Sequence, residues 1–411
     1  LSNGQKLIGR CRELAQISDS DDGTFRTFLS PAMRRCYETV ARWMQSAGMR
    51  VHIDNAGNLR GVFPGDGSCA RPLLVGSHLD TVRNAGAFDG ILGVILAIQL
   101  VEMLGARRLP FDIQVVGFSE EEGVRFSTPF IGSRALAGSL TEEFLSLLDT
   151  AGISVAQAIR DFGLDPRGAT GSALKPVPLA FLEFHIEQGP VLDHAKESLA
   201  VVDSIAGLTR ARVTFTGHAN HAGTTPMNLR SDALCGAAEW IMEVERTARA
   251  TSGLVATVGK LDVIAGVANA VPGEITMTLD CRHADDSVRY VAVNGLRAAA
   301  IAIAGRRHLT FQWADLLNQA ATPMHAGLVE LLNTAAQMSG FSLRRMASGA
   351  GHDAMILADC MPAAMLFLRS PGGISHHPDE AVLAEDVDNA LAVGENFLKC
   401  LSQSYKQWET T

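Results

Sequence analysis

Two textures of hydrophobic and polar residues alternate along the chain. Residues 73–76 are continuously apolar and 112–118 mostly so, and between them residues 90–104 form a longer, mostly apolar run closed by Gly105. Short apolar runs bounded by turn residues read as strands and long ones as helices, so this segment predicts strand, helix, strand. That order implies parallel pairing, and unbroken rather than alternating hydrophobicity implies a sheet covered on both faces. In such sheets functional residues collect beyond the carboxyl ends of the strands.

Upstream, Ser30 caps a predicted helix with Pro31 at its first position and a periodic run to Met44 that ends near Gly48. Residues 49–53 and 59–63 read as strands of a hairpin around Asn55-Ala-Gly-Asn58. After Leu199-Ala-Val-Val-Asp203 the texture changes. Residues 210–216 alternate as a half-exposed strand, 231–250 form an amphipathic helix, 254–261 and 274–281 are strands, 286–304 is an alanine-rich helix, and 309–313 is a strand. This is the pattern of an inserted α+β domain. From Met324 helix and buried strand (363–368) return, ending in a helix over 386–401. The expected division is a first domain in two parts, residues 1–205 and 319–411, around an insertion at 206–318.

A chain of 411 residues with 47% hydrophobic content is ample for two well-buried cores. Its net charge of -9, without long runs of either sign, leaves no electrostatic footprint for nucleic acid or an anionic membrane and points to a small-molecule partner. The seven cysteines are scattered, with no Cys-x-x-Cys pair, which argues against a disulfide framework or zinc knuckle and fits a reducing compartment. No apolar run reaches the roughly 18 residues of a membrane span, and residues 1–14 lack the apolar core of a signal peptide, so a cytoplasmic location is expected.

Four predicted strand ends carry chemistry. The first, Gly76-Ser-His-Leu-Asp-Thr-Val82 with Phe88-Asp-Gly90, offers His78 and Asp89, with Asp80 placed to fix the tautomer of His78. Taken alone, it is equally a hydrogen-bonded loop. The second is Glu120-Glu-Glu-Gly-Val-Arg-Phe126, three like charges that a cation or a shared proton would relieve, where one glutamate can bind metal while its neighbour acts as general base. A solvated acidic turn is the plain alternative. The third, His185-Ile-Glu-Gln-Gly189, carries His185 and Gln188, and the fourth, Ser375-His-His-Pro-Asp-Glu380, two histidines. Each could be an ordinary loop histidine. A dinuclear metal site needs a bridging carboxylate with imidazole and carboxylate ligands on rigid strand ends, and four such loops supply those residue types.

These motifs, with His221-Ala-Gly-Thr-Thr-Pro226, Asp280-Cys-Arg-His283 and Gly349-Ala-Gly-His-Asp353, resemble the N-carbamoyl-L-amino-acid hydrolase group, which includes allantoate amidohydrolases and β-ureidopropionases. That group lies within the dinuclear aminoacylase and carboxypeptidase-type metallohydrolases, and the match runs in order over nearly the whole chain. The resemblance implies an α/β fold, a mixed sheet covered by helices on both faces, with an inserted α+β lid that also dimerises. It implies two divalent cations per subunit, zinc or manganese, with cobalt or nickel as alternatives. His78, Asp89 and His185 would hold one cation and Asp89, Glu122 and His376 the other, Asp89 bridging and Asp80 orienting, with Glu121 as general base. His376 is preferred to His377 from the family pattern Ser-His-x-Pro-x-Glu, and Glu120 is left as a spare carboxylate.

Gln188, His221, Asn269 and Arg282 match the group's substrate-binding positions, His221 also as an oxyanion donor supplied by the partner of a homodimer. Without the resemblance Arg282 is a strand-end arginine and His221 a turn histidine. His352 and Asp353 have two readings, lining the pocket or bracing the metal loops. The expected reaction is hydrolysis of the ureido group of an N-carbamoyl-L-amino acid to amino acid, carbon dioxide and ammonia. Allantoate is the alternative substrate, since both present a ureido group beside a carboxylate, and an N-acyl-amino-acid deacylase or dipeptidase is the alternative activity.

Overall fold

The computed structural model describes residues 1–408 and divides into two units, Leu1–Asp203 with Met324–Thr411, and Ser204–Pro323. In the first unit the sheet runs in the order Arg50–Ile53, Leu59–Phe63, Ile113–Phe118, Leu73–His78, Ala180–Ile186, Ala363–Leu368, Leu199–Ile205, and Arg344–Ser348 also pairs with the last of these. The four strands from Ile113–Phe118 to Ala363–Leu368 are parallel, while Arg50–Ile53 with Leu59–Phe63, Leu59–Phe63 with Ile113–Phe118, and Ala363–Leu368 with Leu199–Ile205 pair antiparallel. The sheet is therefore mixed, because the hairpin and Leu199–Ile205 add antiparallel edges to a parallel core. Every residue of Leu73–His78, Ala180–Ile186 and Ala363–Leu368 is buried, so no face of these strands meets water.

Local chemistry explains the elements. Asp54 accepts hydrogen bonds from Ala56 N and Asn58 N at 3.0 Å, an Asx-type turn that closes the hairpin in the register Ile53↔Leu59. Ser30 caps Pro31–Ser46 by accepting from Met33 N. Helix Ile91–Leu104 has nearly every side chain buried, packs on Leu73–His78 and Ala180–Ile186, and ends at Gly105. The first helix, Asn3–Ala15, was not anticipated. Its signals are a capping box of Ser2 and Gln5 and apolar residues Leu7, Ile8, Cys11 and Leu14 at helical spacing. None of the seven cysteines is in a disulfide.

In the second unit four antiparallel strands run in the order Thr310–Gln319, Gly207–Thr216, Glu274–His283, Val255–Ile264. Alternation puts Ala211, Val213, Phe215, Ile275, Met277 and Leu279 on one face, where Ala233–Ala250 and Asp286–Arg306 close a core around Trp240. Asp286–Arg306 is long and apolar enough to cross a membrane by length and composition alone. In this unit it buries Ala292, Val293, Leu296, Ala300 and Ile303 in that core, and Arg289 is buried in an ion pair with Asp286.

Candidate metal centre

Loops at the carboxyl ends of the parallel strands converge on one carboxylate. Asp89 Oδ1 lies 3.2 Å from His185 Nε2 and 3.8 Å from His78 Nε2, while Oδ2 lies 3.1 Å from His376 Nε2. Glu122 Oε1 is 3.6 Å from the same nitrogen of His376, and Glu121 Oε2 is 3.9 Å from His78 Nε2. Each oxygen of Asp89 thus faces a different histidine set, the arrangement of a bridging carboxylate.

Backbone devices hold these groups. Gly90 takes φ +68°, and a Cβ there would stand 2.4 Å from the His78 ring, so only glycine lets the chain turn beneath the imidazole. His78 Nδ1 is 3.0 Å from the carbonyl of Asp80, and His185 Nδ1 is 2.9 Å from that of Ile186. A carbonyl only accepts, so both rings carry a proton on Nδ1, which leaves Nε2 as the nitrogen that faces Asp89 and could take a cation. Asp80 therefore fixes the tautomer of His78 through its backbone. Its carboxylate instead accepts from Glu121 N at 3.1 Å and Glu122 N at 3.0 Å, pinning the acidic turn.

The three adjacent glutamates separate there. Glu120, at φ +52°, folds back and accepts from Phe28 N, Arg125 N and Phe126 N, at 3.2, 2.7 and 3.1 Å. Glu121 and Glu122 face the histidines. Gln188, at φ +58°, donates to Asp89 Oδ2 at 2.9 Å and to Ser375 Oγ at 3.3 Å. His376 reaches the cluster with its ring half exposed, whereas His377 stays outside and accepts from Asp379 N at 3.2 Å.

The donor set fits a cation. On a tetrahedral ion with bonds of ~2.05 Å, neighbouring ligand atoms lie about 3.4 Å apart, close to the spacings around Asp89. Asp89 Oδ1 and His185 Nε2 are buried and have no hydrogen-bond partner. His78, Asp89 and His185 form one compact donor group, and Asp89, Glu122 and His376 another. A third group, Glu183, His185 and His352, also lies close together, but Glu183 and His352 are committed elsewhere. Glu183 accepts from Ser77 Oγ at 2.8 Å and Ala354 N at 3.0 Å, and His352 Nε2 is 2.8 Å from Ser348 Oγ. The His352 ring also packs edge-on against His185 at 4.4 Å, a bracing position. Asp353 begins the short helix Asp353–Leu357 and is fully buried.

Electrostatics agree. Burial and the negative charge of Asp89 push Glu122 up to about 7, against His78 and His376. Burial, with Glu122, Asp353 and Asp80, outweighs His78 and raises Glu121 well above the usual carboxylate range. Burial also acts to raise Asp89, yet His185, His376 and His78 together hold it well below that range. Cations would reverse the crowding by lowering the two glutamates.

The remaining predicted residues lie in the second unit. His221 and Asn269 are brought together where Asn220–His221 pairs with Ala270–Val271 and Ala222 N donates to Asn269 O at 2.9 Å. His221 is exposed, and its Nδ1 accepts from Gly223 N at 3.1 Å, which places the proton of the neutral ring on Nε2. Arg282 is held by Asp280 through Nε at 2.7 Å and Nη2 at 3.0 Å, and Asp280 also takes Arg210 at 2.7 Å.

Two residues beside the cluster received no role from the sequence. Glu183 shares a face with His185 at i, i+2 spacing in a wholly buried strand, a signal that could have found it. Glu380 was visible only as the end of a loop motif, and nothing local shows that it reaches the backbone of Asp89.

A mixed sheet with an inserted α+β unit and a carboxylate-centred, histidine-rich cluster at its strand ends is the layout of a two-metal hydrolase. The family described as Peptidase family M20/M25/M40 matches residues 74–399, and the chain belongs to it. Within it the chain is similar to the N-carbamoyl-L-amino acid amidohydrolase of Geobacillus stearothermophilus, 38% identical over 93% of this chain and 95% of that one. It is also similar to a probable allantoate deiminase of Oryza sativa subsp. japonica, 37% identical over 96% of this chain and 87% of the relative. A solved amidase of the hydantoinase/carbamoylase family from Burkholderia multivorans superposes with a TM-score of 0.91 at 31% identity, over 96% of this chain and 97% of that one. The chain is a hydrolase of the amidohydrolase type.

Proposed function

We propose that the chain hydrolyses the ureido group of N-carbamoyl-L-amino acids to amino acid, carbon dioxide and ammonia, using two divalent cations. The observation that carries this reading is the split of Asp89, one oxygen toward His78 and His185 and the other toward His376. His78, Asp89 and His185 would hold one cation and Asp89, Glu122 and His376 the other. Imidazole and carboxylate donors suit zinc, manganese, cobalt or nickel. When bound, the cations supply Lewis-acid polarisation of water and of the ureido carbonyl.

The protein's own groups do the rest. Glu121 takes a proton from the attacking water and returns it to the leaving nitrogen as the carbonyl carbon–nitrogen bond breaks. His221 donates from Nε2 to the developing oxyanion. Arg282 takes the substrate carboxylate in two parallel hydrogen bonds, and Gln188 and Asn269 orient its polar groups. The released carbamate breaks down to carbon dioxide and ammonia. A homodimer built through residues 206–318, with His221 serving the partner's site, belongs to the same reading and is supported by the exposure of His221. Allantoate is the second reading, supported by the similarity to an allantoate deiminase.

The test is Glu121→Gln, with ammonia release measured on N-carbamoyl amino acids, allantoate and N-acetyl amino acids. Turnover should fall by about 10²–10⁴-fold, as for loss of a general base, with both cations retained. Undiminished hydrolysis would sink the assignment of the base. Ammonia from allantoate alone selects the second reading, and amino acid released only from N-acetyl substrates rejects both.

A further inference from the structure

We infer that Glu380 is a positioning residue that fixes the bridging carboxylate and the His376 loop to one another; this rests on the two-cation reading above. Glu380 Oε1 accepts from Phe88 N at 2.7 Å and Asp89 N at 2.9 Å, joining segments 291 residues apart. Oε2 lies 3.4 Å from Ser375 Oγ, which is itself 3.4 Å from Asp89 Oδ2. A single buried carboxylate therefore holds the backbone of Asp89 from one side and the residue before His376 from the other. The fit is close, because a Cβ on Gly86 would stand 2.3 Å from Glu380 Cβ, so only glycine lets the Asp89 loop pass this side chain.

The two halves of the cluster depend on this tie unequally. His78 and His185 stand at the ends of neighbouring parallel strands whose ladder sets their spacing without Glu380. His376 stands on a loop at φ +56°, and Glu380 and Ser375 tie that loop to Asp89. Losing Glu380 should free His376 from Asp89 while leaving the strand-borne pair in place. The cation of Asp89, Glu122 and His376 is then lost selectively. A side chain with only a general packing role would weaken both cations together.

Glu380, Phe88 and Gly86 also line a surface groove of about 750 Å³. A shortened side chain thus leaves the freed N–H groups within reach of water rather than in a sealed cavity, and the variant is expected to fold.

The experiment compares full-length wild type, Glu380→Ala and Glu380→Gln, loaded with manganese or zinc and dialysed. Bound metal is counted by elemental analysis, the fold is checked by circular dichroism, and kcat and KM are measured on an N-carbamoyl amino acid. Wild type should hold two cations and Glu380→Ala one. Glu380→Gln keeps an acceptor oxygen but not the charge, and should hold two with the weaker one released about 10- to 100-fold more readily, kcat falling more than KM. Two cations at wild-type affinity in folded Glu380→Ala, or loss of both, overturns the inference. Should Glu380→Ala fail to fold, an unchanged second affinity in Glu380→Gln overturns it instead. Fewer than two cations in wild type overturns the two-cation reading itself.

Discussion

The strand-end loops of the first unit and the outward sheet face of the second treat charge in opposite ways. Around Asp89, buried carboxylates face imidazoles whose Nε2 atoms point inward, and Asp89 Oδ1 and His185 Nε2 are buried without a hydrogen-bond partner. On the second unit's face, Asp280 is satisfied by both Arg210 and Arg282, and its carboxyl is held below the usual range, burial being outweighed by those two arginines. The first arrangement is costly unless cations enter, because crowded buried charges must otherwise neutralise. The second is complete in the protein alone. A set of donors that stays unpaired, yet is fixed by Gly90, the Asp80 carboxylate and Glu380, suits an ion, whereas the arginines on the sheet face already hold a carboxylate of the protein.

Asp89→Asn should have the largest effect. Asparagine keeps the size but turns one bridging oxygen into a donor that cannot ligate, so bound metal should fall below one ion per chain. Activity should fall further than for loss of the base, beyond about 10⁴-fold. Elemental analysis of the purified variant checks this, and two retained cations would mean that Asp89 bridges nothing. Gly90→Ala tests the scaffold. It forces a methyl to 2.4 Å from the His78 ring at φ +68°, and should cost about 1–3 kcal/mol in urea unfolding while weakening the cation held by His78 and His185. Wild-type stability with wild-type metal affinity would show that the loop does not hold the ring.

Much of this scaffold was legible in the sequence, for specific reasons. The apolar runs at 73–76 and 113–118, the second broken only by Gln114, announce buried parallel strands, and the structure extends the first to Leu73–His78, so that His78 is the last strand residue rather than the first loop residue. Asn55-Ala-Gly-Asn58 announced the hairpin because turn chemistry is local. The mixed character of the sheet was not readable from periodicity, since antiparallel edges depend on partners far along the chain. Within the cluster, residue types and their strand-end positions were visible. The divergence of Glu120 from Glu121 and Glu122 was not, because it follows from a positive φ at Glu120 and from N–H groups of Phe28 and Phe126. The tie from Glu380 to Asp89 was hidden for the same reason, as a contact between residues 291 positions apart.

The smallest expected effect falls on the sheet face of the second unit. Arg282→Lys keeps the charge on the second unit's sheet face but replaces a planar fork with a point charge, so a substrate carboxylate loses one of two parallel hydrogen bonds. KM for carboxylate-bearing ureides should rise about 10- to 100-fold, the equivalent of one charge-assisted hydrogen bond. Folding should hardly register it, because Arg282 and Asp280 are each partly exposed and Asp280 keeps Arg210; about 1 kcal/mol is the upper bound for such a pair. Bound metal should not change, since no ligand is touched. A rise in KM with intact stability and metal content separates the two regions by function, one holding ions and the other substrate. Unchanged kinetics would assign Arg282 to the Asp280 ion pair alone and remove it from the substrate site.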